Sequence, residues 1–275
     1  MKSLSNAVIA IPVYKEIPDK YETISLVRCA KVLHEYDFCL FGPDGLNISK
    51  YENILAGMSK TFRYEAFDKS YFSSQRGYNR LMLIADFYKR FSSYEYMLIY
   101  QLDAYVFSNQ MEKWCQSGYD YIGAPFLKLN QKLDWKNAGN GGFSLRKIDS
   151  FIKLFDHKGK ILTWKGLWRY HRYRGPMHRL PLTVKGLFGT GNSVKYFTEE
   201  WTRHNEDLFY SMLNDSYLHW NIPSTTEAMF FSFEQAPTLL YSITKELPFG
   251  CHAFLKNEYE QFYKVIIEKT SNNPK

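Results

Sequence analysis

The chain has 275 residues, 45% of them hydrophobic and 23% charged, and a formal net charge of +7, a composition that fits one large globular domain. No run approaches the roughly 18 consecutive apolar residues of a membrane-spanning helix, and the best candidate, Tyr96 to Leu102, is strand-sized, which excludes a transmembrane protein. Cys29, Cys39, Cys115 and Cys251 stand far apart, with neither a C-x-x-C pair nor zinc-ligand spacing, and so read as buried reduced thiols.

AVIAIPV (7–13) is a continuous apolar run closed by proline, which predicts a strand buried on both faces rather than a signal peptide, and with it a cytoplasmic protein. Asp19 to Tyr36 follows as a helix, with Ile24, Leu26, Val27, Ala30 and Leu33 at helical spacing. DFCLF (37–41) predicts a second strand, stopped by Gly42, Pro43, Asp44 and Gly45. FRYEAF (62–67) alternates as a strand, and Gln75 to Phe91 reads as one helix with Tyr78, Leu81, Met82, Ala85 and Tyr88 on a single face. YEYMLIYQLDAYVF (94–107) predicts a hydrophobic strand that delivers one acid, Asp103, at its carboxyl end. Strands alternating with helices predict an α/β fold with a mostly parallel sheet, helices on both faces and ligands outside the carboxyl ends of the strands. One domain over residues 1–270 is expected, with a frayed tail at 271–275.

The positive charge is concentrated. Residues 157–198 hold nine Lys and Arg and no acid, more than the whole net excess, interleaved with Trp164, Trp168, Tyr170 and Tyr173. This basic aromatic insert suits an anionic membrane surface, a nucleic acid backbone, or a solvated loop around a site that handles phosphates. Nothing else in the chain resembles a nucleic-acid module, so no nucleic acid partner is expected.

No P-loop, no G-x-G-x-x-G opening a helix, no H-E-x-x-H and no G-x-S-x-G elbow is present, which removes the main support for the corresponding enzyme classes. Short polar motifs at strand and loop ends remain. In GNGGFSLR (139–146), Gly139, Gly141 and Gly142 let a backbone approach a ligand or simply form a tight turn, Asn140 offers a donor and an acceptor, and Arg146 either pairs with a phosphate or caps the sheet edge. His204-Asn205-Glu206-Asp207 precedes an apolar helical run, where Asn205 is a natural N-cap and the acids occupy the first turn. His252 lies in LPFGCHAF, where a structural histidine and a ligand are both consistent readings.

A strand ending in L-D-A-x-V, then DYIGAP (120–125), a glycine pair before a short strand, an E-D pair opening a helix and a late histidine together resemble the GT-A fold of nucleotide-sugar glycosyltransferases. The wording of the motifs is closer still to a bacterial glycosyltransferase-like domain-of-unknown-function family found among surface-polysaccharide genes. The resemblance spans residues 7 to about 254 apart from the basic insert. It implies a nucleotide-sugar donor, a glycan acceptor of O-antigen or capsule type carried on a lipid, and inverting transfer by single displacement. Pro12, Val13 and Tyr14 would flank the nucleotide base, with Asp44 after the second strand and Asn79 and Arg80 toward ribose or phosphate. Asn140, Gly141 and Gly142 would line the donor-sugar pocket, Asp207 would be the general base and Glu206 would orient the acceptor.

GT-A enzymes carry an Asp-x-Asp motif holding a divalent cation, Mn or Mg, against the leaving diphosphate. Here Tyr105 replaces the second acid, so a metal site would rest on Asp103 and His252; Asp103 reads equally as a strand-end cap or an acceptor for the ribose. Two other classes stand beside the transferase: a catalytically silent GT-A-like module that binds glycan or scaffolds, and a glycoside hydrolase, for which no opposing acid is apparent.

Overall fold

Alternate residues of the first apolar run are claimed by opposite cores. The computed structural model describes residues 6–127, 133–173, 175–189, 191–201 and 205–272. Its strands are β1 (Ala7–Pro12), β2 (Asp37–Pro43), β3 (Phe62–Phe67), β4 (Tyr96–Tyr100), β5 (Tyr105–Val106), β6 (Tyr121–Ile122), β7 (Pro125–Leu127), β8 (Leu133–Ala138), β9 (Phe143–Lys147), β10 (Ser232–Phe233) and β11 (Gly250–Cys251). Its helices are α1 (Lys20–Val32), α2 (Ser49–Gly57), α3 (Gln75–Met82), α4 (Ala85–Lys89), α5 (Met111–Gln116), α6 (Ile148–Asp156), α7 (Trp164–Tyr170), α8 (Pro176–Phe188), α9 (Val194–Trp201), α10 (Glu206–Tyr210), α11 (Thr225–Phe231), α12 (Pro237–Thr244) and α13 (Lys264–Asn272). Residues 273–275 of the expected tail lie outside the described residues.

The central sheet has the order β3-β2-β1-β4-β9-β6, with β1 to β4 parallel and β9 antiparallel to both neighbours. The expected mixed α/β architecture, a mostly parallel sheet flanked by helices, is therefore present. Ile9, Ile11, Leu40 and Leu98 enter one core with Leu26, Cys29, Ala30 and Leu33 of α1 and its end, while Val8, Ala10, Cys39, Phe41, Met97 and Ile99 enter a second core beneath α3, α4 and α6. Both faces of the central strands are dry, which is why they read as unbroken apolar runs rather than as alternation. All four cysteines are buried, and none forms a disulfide.

Three segments depart from the expectation. The helix foreseen over 75–91 is two, because Ile84 is extended (φ −126°, ψ 142°). The Met82 carbonyl, freed at the end of α3, accepts from the Tyr88 hydroxyl at 3.0 Å and the Tyr210 hydroxyl at 2.6 Å. The strand foreseen over 94–107 also breaks. The Ala104 N–H donates to the Gln101 carbonyl at 2.9 Å, closing a turn, and β5 leaves the main sheet to pair antiparallel with β11 in a small sheet of order β10-β11-β5. Tyr105, in the position of the missing second acid, is fully buried in a third core with Phe233, Phe254 and Tyr263 and cannot reach a ligand. The basic segment is helical, not a solvated loop: it forms α7, α8 and α9, because Leu162, Leu167 and Phe197 are buried in the second core. Among the described residues no helix is long and apolar enough to cross a membrane.

Candidate active site

The carboxyl ends of the parallel strands open into a cleft of about 780 Å³. The end of β1 supplies Pro12, Val13 and Tyr14; the turn after β4 supplies Gln101 and Asp103; the loop before β9 supplies Asn140, Gly141 and Gly142. Glu206 and Asp207 of α10, Glu234 after β10, and His252 and Lys256 after β11 also line it. Asn79 reaches it from the buried face of α3. The fold thus brings together eleven of the thirteen residues expected from sequence.

Two stay outside. Asp44 is exposed beyond β2, its N–H held by the Phe67 carbonyl at 2.8 Å. Arg80 lies over the Tyr71 ring, 4.7 Å from its centroid, and donates to Ser70 Oγ at 2.9 Å, which turns it away from the cleft. His204 lies outside the described residues.

On one wall, the imidazole of His252 bridges two carboxylates. Nε2 is 3.2 Å from Asp103 Oδ1 and 3.1 Å from Gln101 Oε1, while Nδ1 is 3.1 Å from Glu234 Oε1. Lys256 Nζ stands 3.7 Å from Asp103 Oδ2. The antiparallel pairing of β5 with β11, Cys251 opposite Tyr105, sets this contact, because His252, just after β11, emerges beside the residues just before β5, where Asp103 stands. Burial works against the charged imidazole, but hydrogen bonds and attraction from Asp103 and Glu234 outweigh it and hold the His252 pKa up at about 10. Burial likewise opposes the Asp103 carboxylate, and His252 and Lys256 more than compensate, so its pKa is lowered.

The glycine loop stands directly against this ring. The Gly142 N–H donates to Asn140 Oδ1 at 3.0 Å, and the Gly141 N–H donates to Asp207 Oδ2 at 3.1 Å. Asn205 occupies the N-cap position of α10 without capping it; its Oδ1 accepts from Gln75 Nε2 at 3.1 Å. The glycines are required for space. A Cβ on Gly142 would stand 2.0 Å from His252 Nε2, and one on Gly141 would stand 2.9 Å from Glu206 Oε1. Asp207 Oδ1 is buried with no hydrogen-bond partner. Burial and then the neighbouring Glu206 raise the Asp207 pKa well above the usual carboxylate range, and burial raises Glu206 despite Arg146. This pair therefore holds and releases a proton much nearer neutrality than free carboxyls do.

Arg146 departs from both sequence readings, phosphate partner and edge cap. It is fully buried beneath the loop, donating to the Tyr88 hydroxyl at 2.8 Å, to Ser144 Oγ at 3.1 Å and to the Gly141 carbonyl at 3.3 Å, with Nη2 3.8 Å from Glu206 Oε1. It is the countercharge of the acidic pair and the underside of the loop, held among the rings of Tyr121, Phe151 and Tyr210.

Tyr14 is 62% exposed at the rim, open to stack on a planar group. Beside it Lys15 Nζ pairs with Glu22 at 2.7 Å and Asp19 at 3.3 Å, and Asp19 caps α1. Glu234, Gln101 and Lys256 escaped sequence reading. Glu234 carried one signal, since it follows Phe-Ser-Phe as His252 follows Gly-Cys, directly after a short strand of the same small sheet.

Asp103 and His252 fit a divalent cation. They present one carboxylate and one imidazole nitrogen at a shared point, and Glu234 orients that imidazole through its other nitrogen, as outer-shell carboxylates do for metal-bound histidines. No ready-made cluster of three ligands exists among the described residues, so phosphate oxygens of a substrate would complete the coordination.

The model of a family described as "Protein of unknown function (DUF5672)" matches residues 61–252. No curated protein matches. Among solved structures the chain overlaps core-mannan synthase A from Aspergillus fumigatus in its Mn/GDP form, at 11% identity and a TM-score of 0.46, over 78% of this chain and 71% of that one. It overlaps a glycosyltransferase involved in glycosylation of the major capsid of PBCV-1 at 12% identity and a TM-score of 0.41, over 96% and 98% of the two chains. It also overlaps the bifunctional glycosyltransferase WbbM in its apo form at 14% identity and a TM-score of 0.43, spanning all of this chain and 50% of that one.

Proposed function

The chain belongs to the DUF5672 family, and from that premise we propose that it is a glycosyltransferase, moving a sugar from a nucleotide-sugar donor to a hydroxyl of a lipid-carried surface glycan of O-antigen or capsule type. The observation that carries this reading is Asp207: a carboxyl with one buried oxygen lacking a partner, its pKa raised, in a cleft that also holds Asp103, His252 and Lys256.

In the proposed reaction the acceptor hydroxyl gives its proton to Asp207 as its oxygen forms a bond to the anomeric carbon. The bond from that carbon to the diphosphate breaks, and its electron pair leaves with the diphosphate. Attack and departure on opposite faces invert the configuration. Glu206, held near Arg146, orients the acceptor, and a general base with a raised pKa suits proton transfer near neutral pH. Lys256 offers positive charge to the departing diphosphate. Asn140, Gly141 and Gly142 line the sugar subsite, Tyr14 covers the base and Pro12 and Val13 flank it. Asp103 and His252 would hold a divalent cation, Mn or Mg, whose chemistry is to neutralise diphosphate charge.

The test pairs binding with turnover. A panel of UDP-, GDP-, CMP- and dTDP-sugars, each with and without manganese, is screened for thermal stabilisation, where a ligand at 100 times its Kd adds about 2.7 kcal/mol. The stabilising donor is then used for transfer by the wild type and Asp207→Asn. Stabilisation with transfer lost in the variant supports the enzyme; stabilisation without transfer in either favours a silent binding module.

A further inference from the structure

We propose that α8 is an interfacial anchor that lays this protein on an anionic lipid bilayer. The helix exposes an apolar stripe that the sequence alone does not reveal. Met177, Leu180, Val184 and Phe188 fall within about 80° of one another at 100° per residue. Met177 is 87% and Phe188 84% exposed, and Leu180 and Val184 are among the exposed large hydrophobics. The opposite face is the one that packs inward: Thr183 is buried, and Gly186 lies so close to α7 that a Cβ there would stand 2.9 Å from Leu167. A helix contributing one face to the fold gains nothing by showing a second apolar face to water, so this stripe calls for a partner.

Charge says which partner. Lys160 lies over the Phe188 ring, 5.7 Å from its centroid, and Lys185 follows the stripe on the exposed side. Trp164 and Trp168 of α7 stack with centroids 6.3 Å apart, both exposed, and the Arg179 guanidinium covers Trp168 at 4.0 Å. A second cavity, of about 860 Å³, is lined by Lys165, Trp168, Arg169, Arg172 and Arg179, with Asp215 pairing to Lys165 at 2.9 Å and to Arg169 at 3.3 Å. An apolar stripe about 16 Å long, flanked by Lys160 and Lys185 in a segment of 157–198 that holds no acid, matches a helix lying in the headgroup plane of an anionic membrane. A protein partner of acidic surface would match the cations but not two protruding apolar side chains without a groove to receive them.

The proposal is independent of the transfer reaction and tested without it. The full chain is sedimented with vesicles of phosphatidylcholine and with vesicles of an equimolar phosphatidylcholine and phosphatidylglycerol mixture. Binding to the mixed vesicles is expected, weakened by high salt. Met177→Ser with Phe188→Ser lowers the partition coefficient about tenfold or more, and Lys160→Glu with Lys185→Glu lowers it about fivefold for each cation lost. Because these side chains are exposed, circular dichroism and Tm stay unchanged. Binding no tighter to mixed than to phosphatidylcholine vesicles, or undiminished in the variants, overturns the proposal. So does a solution dimer abolished by the Ser variants, which would give the stripe to a second copy of the chain.

Discussion

The Gly141 N–H donates to Asp207 Oδ2 at 3.1 Å, which ties the loop before β9 to α10 and leaves Asp207 Oδ1 buried and unbonded beside it. One carboxylate oxygen is thereby fixed by the backbone while the other is left without a hydrogen-bond partner.

Asp207→Asn keeps the acceptor that Gly141 needs but removes the proton-accepting group. Transfer should fall by about 10²- to 10⁴-fold. Stability should move the other way. Burial and Glu206 raise the native pKa above the unfolded value of about 3.9. The wild type therefore loses stability as pH rises from that value through the raised native pKa. The variant should have the higher Tm at neutral pH, and the difference should vanish below about pH 4. Melting both proteins across that range is the check; a variant less stable than wild type at neutral pH contradicts the assignment.

Gly142→Ala should displace His252. Its Cβ would stand 2.0 Å from His252 Nε2, in a ring held on both sides by Asp103 and Glu234, so the ring must swing away. Donor-dependent thermal stabilisation should disappear with little loss in the Tm of the free protein. Retained stabilisation would show that His252 does not face the donor.

Arg146→Met should be costly despite similar volume. It leaves Glu206 without its countercharge and removes donors from Ser144, Tyr88 and the Gly141 carbonyl in a dry interior. About 3–5 kcal/mol of stability should be lost, measured by urea unfolding. The double variant Arg146→Met with Glu206→Gln should recover part of it, since the stranded charge goes too; no recovery would mean the pair is not coupled.

Asp103→Asn should separate metal from fold. His252 keeps Glu234 as a partner, so the protein stays folded, while any manganese-dependent part of nucleotide-sugar stabilisation should fall to the level seen with chelator. An undiminished manganese effect would place the cation elsewhere.

The sequence by itself determined the central sheet and most of the cleft. Runs such as Ala7–Pro12 and Tyr96–Tyr100 are apolar on both faces because both faces are covered, and the parallel sheet built from them opens a cleft where Val13, Asp103 and the glycine loop emerge. What followed from contacts between distant segments was not legible. The turn after β4, the pairing of β5 with β11 that sets His252 against Asp103, and the burial of Arg146 under α10 depend on partners far away in the chain. Arg80 and Asp44 fell outside the cleft for the same reason: their helix and turn were foreseen, but side-chain direction is decided by neighbours such as Tyr71, which local spacing does not encode. The apolar face of α8 was hidden among the cations of the basic segment. Only packing against α7 decides which side of that helix meets the protein and which is left to water.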